Sequence, residues 1–127
     1  MIPRYRAWDK EFKEMVQVDA LVFEQIIKAT YKNGNVVKED LKNYVLMQST
    51  GLTDKNGKEI FEGDVLKVTD KHSWLEVVSF SEKKAMFVSK ESGFPESPLW
   101  ELFNTVLFEI EIIGNIYENP ELAEVSS

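Results

Sequence analysis

The chain has no cysteine and a single histidine, His72. It therefore offers no disulfide framework, no thiolate nucleophile and no Cys-ligated zinc or iron–sulfur site, and a two-histidine metal site is impossible within one copy. Positive charge is also in short supply: 15 Lys and Arg stand against 22 Asp and Glu, a formal net charge of -7. The chain as a whole lacks the field that draws proteins to phosphate backbones or anionic membranes. Its cations are scattered, with Lys83, Lys84 and Lys90 the nearest to a cluster, so a nucleic-acid partner is disfavoured. No stretch approaches the roughly 20 apolar residues that span a bilayer, and the opening MIPRYRAWDKEF has no apolar run behind its arginines. These absences suit a cytosolic protein that makes no use of a membrane.

Known catalytic signatures are missing as well. No Gly-x-Gly-x-x-Gly or Walker-type Gly-Lys-Ser occurs, and Asn56-Gly57-Lys58 reads as a turn. Ser49 and Ser73 lie in no Gly-x-Ser-x-Gly elbow, which leaves His72 an ordinary loop residue. The remaining route to chemistry is paired carboxylates, which serve acid–base catalysis or hold a hard metal. Glu62 and Asp64 flank Gly63, and Glu109 and Glu111 share one face of a strand. The simpler reading is a turn brace for Asp64 and a solvated strand face for the two later glutamates. The expectation is no catalytic residue, no cofactor and no metal.

What is present is a β-rich chain of 127 residues with 43% hydrophobic content, enough for one core, and a single domain over 1–127 is expected. Residues 3–18 mostly alternate around Asp9-Lys10-Glu11, the pattern of a hairpin, with Trp8 packed at the start of its turn. Over 19–34, Val22, Phe23, Ile26, Ile27 and Thr30 recur at helical spacing behind Asp19 as N-cap, which predicts a short helix. The competing reading makes Asn33-Gly34 a hairpin turn between strands ending near Tyr31 and starting near Val36. Tyr44–Gln48 reads as a buried strand that closes the 1–48 part.

The 49–121 part opens on a turn-rich stretch, in which both residues of Asn56-Gly57 tolerate positive φ. Strands follow at Val65–Val68, Trp74–Phe80, Ala85–Val88 and Val106–Ile113. Ser92–Pro98 holds two prolines and reads as a loop outside any sheet, Leu99–Phe103 as one helical turn or a bulged strand, and 122–127 as a fraying tail. The whole predicts a mainly β fold, a β-rich α+β: a small, strongly bent sheet or partial SH3-like barrel, with an N-terminal hairpin and one or two short helices.

Three blocks give the chain a likeness: Arg6-Ala7-Trp8-Asp9, the run from Thr50 through Gly51, Asn56, Gly57 and Gly63 to Asp64, and the run from Ile113 to Leu122 that holds Asn115 and Asn119. In their order and over the whole length they resemble the YopX family of bacteriophage and prophage proteins, whose molecular function is not established. The resemblance implies a phage or prophage accessory protein in the host cytoplasm. Within the blocks the glycines are expected to serve turns, and Asn115 and Asn119 to brace neighbouring backbone groups.

Fifteen Phe, Trp and Tyr residues are many for so small a core, and Phe94, Trp100 and Phe103 adjoin the two-proline loop. Aromatic side chains there suit an interface, so this is the candidate interaction surface. The partner expected is a second copy of the chain, or a host or phage protein.

Overall fold

The computed structural model describes residues 4–23 and 25–125. These fall into two compact units, 1–49 and 50–127. Both are built from antiparallel strands, and no sheet among the described residues closes on itself into a barrel. No helix there is long and apolar enough to cross a membrane.

Unit one contains β1 (Tyr5–Asp9), β2 (Glu14–Val22), β3 (Ile26–Thr30), β4 (Val36–Asp40), a 3-10 turn at Leu41–Asn43, and the first half of β5 (Tyr44–Thr53). Its strands lie in the order β4-β3-β2-β1-β5. Ala7 on β1 is opposite Val16 of β2 on one side and Leu46 of β5 on the other. Ala7, Val16, Ile27, Ala29 and Tyr44 make the core, with Val18, Leu21, Val37 and Leu46 packed on it. Each fully buried Val or Ile there is worth about 1.5–3 kcal/mol over its exposed state.

The helix expected over 19–34 is absent among the described residues: 19–23 and 25–34 fall in the end of β2, the turn after it, β3 and the turn before β4. The reason lies at Asp19. In the β2–β3 ladder Val18 pairs with Ala29 and Ala20 with Lys28, which leaves Asp19 as the extra residue of a β-bulge. The bulge shifts the inward phase by one residue, from Val16 and Val18 to Leu21, and a period of two with one slip imitates a helical spacing. Asp19 caps nothing. Its carboxylate accepts from Thr30 Oγ1 at 2.6 Å and Gln17 Nε2 at 2.9 Å, fastening the bulge to the partner strand. The competing hairpin reading at Asn33-Gly34 is the one the structure adopts, with Gly34 at φ +90°.

In unit two the second half of β5 carries β6 (Glu59–Phe61), and a second sheet follows. It comprises β7 (Asp64–Thr69), β8 (Ser73–Ser81), β9 (Met86–Lys90), β10 (Ser97–Pro98) and β11 (Glu109–Asn115), ordered β10-β9-β8-β7-β11. A 3-10 segment, Leu99–Phe103, connects β10 towards β11, and a helix, α1 (Pro120–Val125), ends the described chain. Ile60, Leu66, Val68, Val78, Leu99, Leu102 and Ile110 form the core.

Three local expectations need correction. Ser97-Pro98 is not outside the sheet: it pairs with Ser89 and Val88 as the edge strand, where proline's missing N–H leaves no ladder bond unmade. Of the tail expected over 122–127, Leu122 to Val125 belong to α1, and residues 126 and 127 lie outside the described part. Asn56 does not use positive φ, and only Gly57, at φ +80°, does. Gly57 donates to the Asp54 carbonyl at 2.9 Å, so the turn is a four-residue one closed by Gly57. Gly51 serves no turn; it sits inside β5 at φ +78°, an irregularity in the strand.

Candidate interaction surface

The segment from Glu91 to Phe108 is where unit two holds its most exposed large apolar side chains. Phe94 donates its N–H to the Glu91 carbonyl at 3.1 Å, closing a turn whose third position, Gly93, has φ +85°. Only glycine takes that conformation readily, and the turn leaves Phe94 59% exposed. Glu96 then pairs with Lys84 at 3.4 Å, and β10 delivers the chain into the 3-10 segment.

Side chains three apart in a 3-10 helix lie over one another. Leu99 and Leu102 form the buried row, and Trp100 and Phe103 form the row beside it. The two aromatics differ in outcome. Phe103 packs on the core cluster, whereas Trp100 is 55% exposed. Of the candidate trio, Phe103 is therefore turned to the core while Trp100 stays out, because the two leucines already fill the inward row of a segment only five residues long.

Beyond it, Thr105 Oγ1 accepts from Leu107 N at 3.2 Å and holds a turn in which Val106 is wholly exposed and Leu107 69% exposed. The sequence reading placed these two inside the last strand, but β11 starts only at Glu109. Phe108 turns inward, its ring edge-on to Trp74 at 5.6 Å between centroids. A groove of about 240 Å³ is lined by Phe103, Thr105, Phe108, Glu109, Lys55 and Thr53 among others, on the flanks of the exposed pair. Val106 and Leu107 are the members of this surface that sequence reasoning missed.

The carboxylates hold structural posts. Asp64 is buried, and its Oδ2 accepts from Phe61 N at 2.8 Å across the Glu62-Gly63 turn, the bracing role expected of it. Glu109 and Glu111 do share a face: Lys55 Nζ lies 3.7 Å from one and 3.9 Å from the other. All three side chains are well exposed, so this triad contributes little to stability. His72 has its ring 6.2 Å from that of Trp74.

The third block of the family likeness forms one continuous brace. Asn115 Oδ1 accepts from Tyr117 N and Glu118 N, its Nδ2 donates to Glu118 Oε1, and Asn119 Oδ1 accepts from Asn115 N at 3.2 Å. Gly114 sits at a register shift of β11, and a Cβ there would lie 2.5 Å from Asn119 Oδ1 and 2.9 Å from Leu122 Cδ1. That close approach is what demands glycine.

Two further polar centres went unread in the sequence. Asp54 accepts from the N–H groups of Asn56, Lys58 and Ile112, tying the Gly57 turn to β11. In unit one, Tyr31 donates to buried Asp9, and the Tyr31 and Tyr44 hydroxyls meet at 2.7 Å. Tyr44 in turn donates to Glu39 at 2.9 Å. Burial pushes the Tyr44 hydroxyl up to about 12; the Tyr31 hydroxyl beside it opposes this and neighbouring Glu39 adds to it. Tyr31 is raised further, by burial first and then by its bond to Asp9. Both therefore stay protonated as donors.

Comparison with known proteins agrees with the likeness read from the three blocks. The model of the YopX family, described as YopX protein, matches residues 4–124, nearly the whole chain. A solved structure, "Crystal structure of protein EF1440 from Enterococcus faecalis", is similar at 30% identity over 96% of this chain and 98% of that one, with a TM-score of 0.68. No curated protein matches. The chain belongs to the YopX family.

Proposed function

We propose that this YopX-family protein is a phage or prophage accessory protein without enzymatic activity, acting in the host cytoplasm by binding protein. Its contact surface is the part of unit two that carries Phe94, Trp100, Val106 and Leu107, and copies of the chain associate through it. The observation behind this reading is the exposure of those four large apolar side chains within one stretch of chain. Exposed apolar residues grouped in this way mark interaction sites more often than isolated ones do, and Trp and Phe are common anchors. A two-fold contact brings the same patch from each copy together, so apolar self-complementarity suffices without opposite charge.

The readings that compete with this one have less behind them. Lys84, one of three lysines a nucleic acid would need, is paired with Glu96, and the net charge of -7 opposes phosphate. Glu109 and Glu111 share a lysine rather than converging on an empty point.

Sedimentation velocity tests the proposal. The wild type is expected to show a species larger than the 14.7 kDa monomer that grows with concentration. Phe94→Ala and Trp100→Ala are expected to reduce it, both being surface truncations that leave the buried Leu99 and Leu102 row in place. A monomer in every case sinks the self-association.

A further inference from the structure

Unit one has a concave site of its own, separate from the surface just described. A cavity of about 300 Å³ is lined by Phe12, Glu14, Tyr31, Asn33, Asn35, Val37 and Glu39. Its floor follows from strand geometry: Val37 and Glu39 are alternate residues of β4 and so point to one side, and Asn35 precedes them in the same phase. Its wall comes from the β1–β2 turn. There Asp9 Oδ1 accepts from Glu11 N at 2.9 Å and Phe12 N at 3.1 Å, Lys13 N donates to the Asp9 carbonyl at 2.9 Å, and Lys13 takes φ +54°. The turn is thereby fixed from a buried carboxylate, and it holds the Phe12 ring 71% exposed at the cavity.

The chemistry of the lining is one-sided. Two carboxylates face the cavity, and no lysine or arginine among the described residues lines it. Each carboxylate is held in place through Oε2: Glu14 accepts from Lys32 N at 3.0 Å, and Glu39 accepts from Tyr44 Oη at 2.9 Å. The Oε1 atom of each has no donor among the described residues. Asn33 and Asn35 add amide oxygens; Asn33 Oδ1 already accepts from Asn35 N at 2.9 Å and so is oriented. An exposed aromatic face beside oriented carboxylates is the combination that recognises a cation by charge and by ring quadrupole together. The volume is at the lower limit of ligand pockets and ample for one long side chain.

We propose that this pocket takes the cationic head of an arginine or lysine side chain presented by another protein, with Glu14 and Glu39 as the counter-charges and Phe12 as the stacking face. The pocket is lined by unit-one residues alone, none of them from the 94–107 stretch.

The test is a titration of the 15N-labelled full chain with N-acetyl-arginine-methylamide, the citrulline counterpart and putrescine, read at the backbone and side-chain amides of Asn33 and Asn35. Saturable shifts with the arginine probe, weakened by added salt and absent with citrulline, are expected. Phe12→Ala should lower the affinity about fivefold, the worth of an exposed cation–ring contact. Glu14→Gln should lower it at least as much and flatten the salt dependence. Phe12 is a surface residue, so the amide spectrum away from the pocket will show that the variant is folded. No saturable shift, equal binding of citrulline, or undiminished affinity in both variants would overturn the proposal. Tighter binding of putrescine than of the arginine probe would overturn its assignment to a protein side chain.

Discussion

Replacing Asp54 with alanine removes one carboxylate that satisfies three backbone N–H groups, those of Asn56 and Lys58 at 2.9 Å and of Ile112 at 3.0 Å. The three do not weigh equally. Asn56 and Lys58 are in an exposed turn and can turn to water, at a cost of about 0.5–1 kcal/mol each. Ile112 is half-buried on β11 and packs on the core, so its orphaned N–H costs about 1–3 kcal/mol. The expected loss is therefore about 2–5 kcal/mol, measured as a lower urea midpoint with an unchanged slope. Asp54→Asn, which keeps one acceptor oxygen, should lose less.

The pH dependence gives a second, independent reading of the same residue. Burial opposes ionisation of Asp54, but hydrogen bonds from the N–H groups of Ile112, Lys58 and Asn56 and the charge of Lys58 outweigh it, so its carboxyl lies below its ordinary value. A depressed folded pKa contributes stability that is complete above the unfolded value, about 3.9, and is lost as pH falls through the folded one. The gap between wild type and Asp54→Asn should be constant near neutral pH and narrow in acid below about pH 4. A loss under about 1 kcal/mol in Asp54→Ala would refute the reasoning, since no buried donor would then depend on the carboxylate. So would a gap that widens in acid.

Two other perturbations follow from backbone and packing. Gly114→Ala drives a Cβ into Asn119 Oδ1 and Leu122 Cδ1; because Asn119 is held by Asn115 N, relief breaks that bond, and urea unfolding should show a loss of about 2–4 kcal/mol. Phe23 is 90% exposed at φ +52°, a conformation bulky residues adopt only under strain, so Phe23→Gly is expected to raise the melting temperature, by about 0.5–1 kcal/mol of stability. A lowered melting temperature would mean that the ring makes a contact that outweighs the strain.

The parts of the fold that were legible in the sequence are those where the pattern ran unbroken. β7 and β8 are apolar, β-prone runs that pair without a register shift, Gly57 and Gly63 mark the turns before and after β6, and the β1–β2 hairpin is announced by Asp9 and the polar residues after it. β3 was obscured by a single extra residue, Asp19, because a bulge and a helix leave similar traces over one turn of chain. Asp54 was passed over as one more turn former because the partner that sets its importance, Ile112, is 58 residues away. Local propensity carries no record of such a contact. For the candidate surface, composition pointed to Phe94, Trp100 and Phe103, but it could not rank them against the core; Phe103 packs on it, and Trp100 stays out because Leu99 and Leu102 take the inward row. Val106 and Leu107 were hidden by their β-prone, apolar character, which reads as strand wherever no turn residue interrupts it.

Carbene footprinting of the wild-type chain at low and at high protein concentration tests the self-association of this surface most directly. Labelling of Trp100, Val106 and Leu107 should fall as concentration rises, while Phe23 in unit one, itself 90% exposed, keeps its labelling. Unchanged labelling of the three at high concentration, or an equal fall at Phe23, would contradict the account.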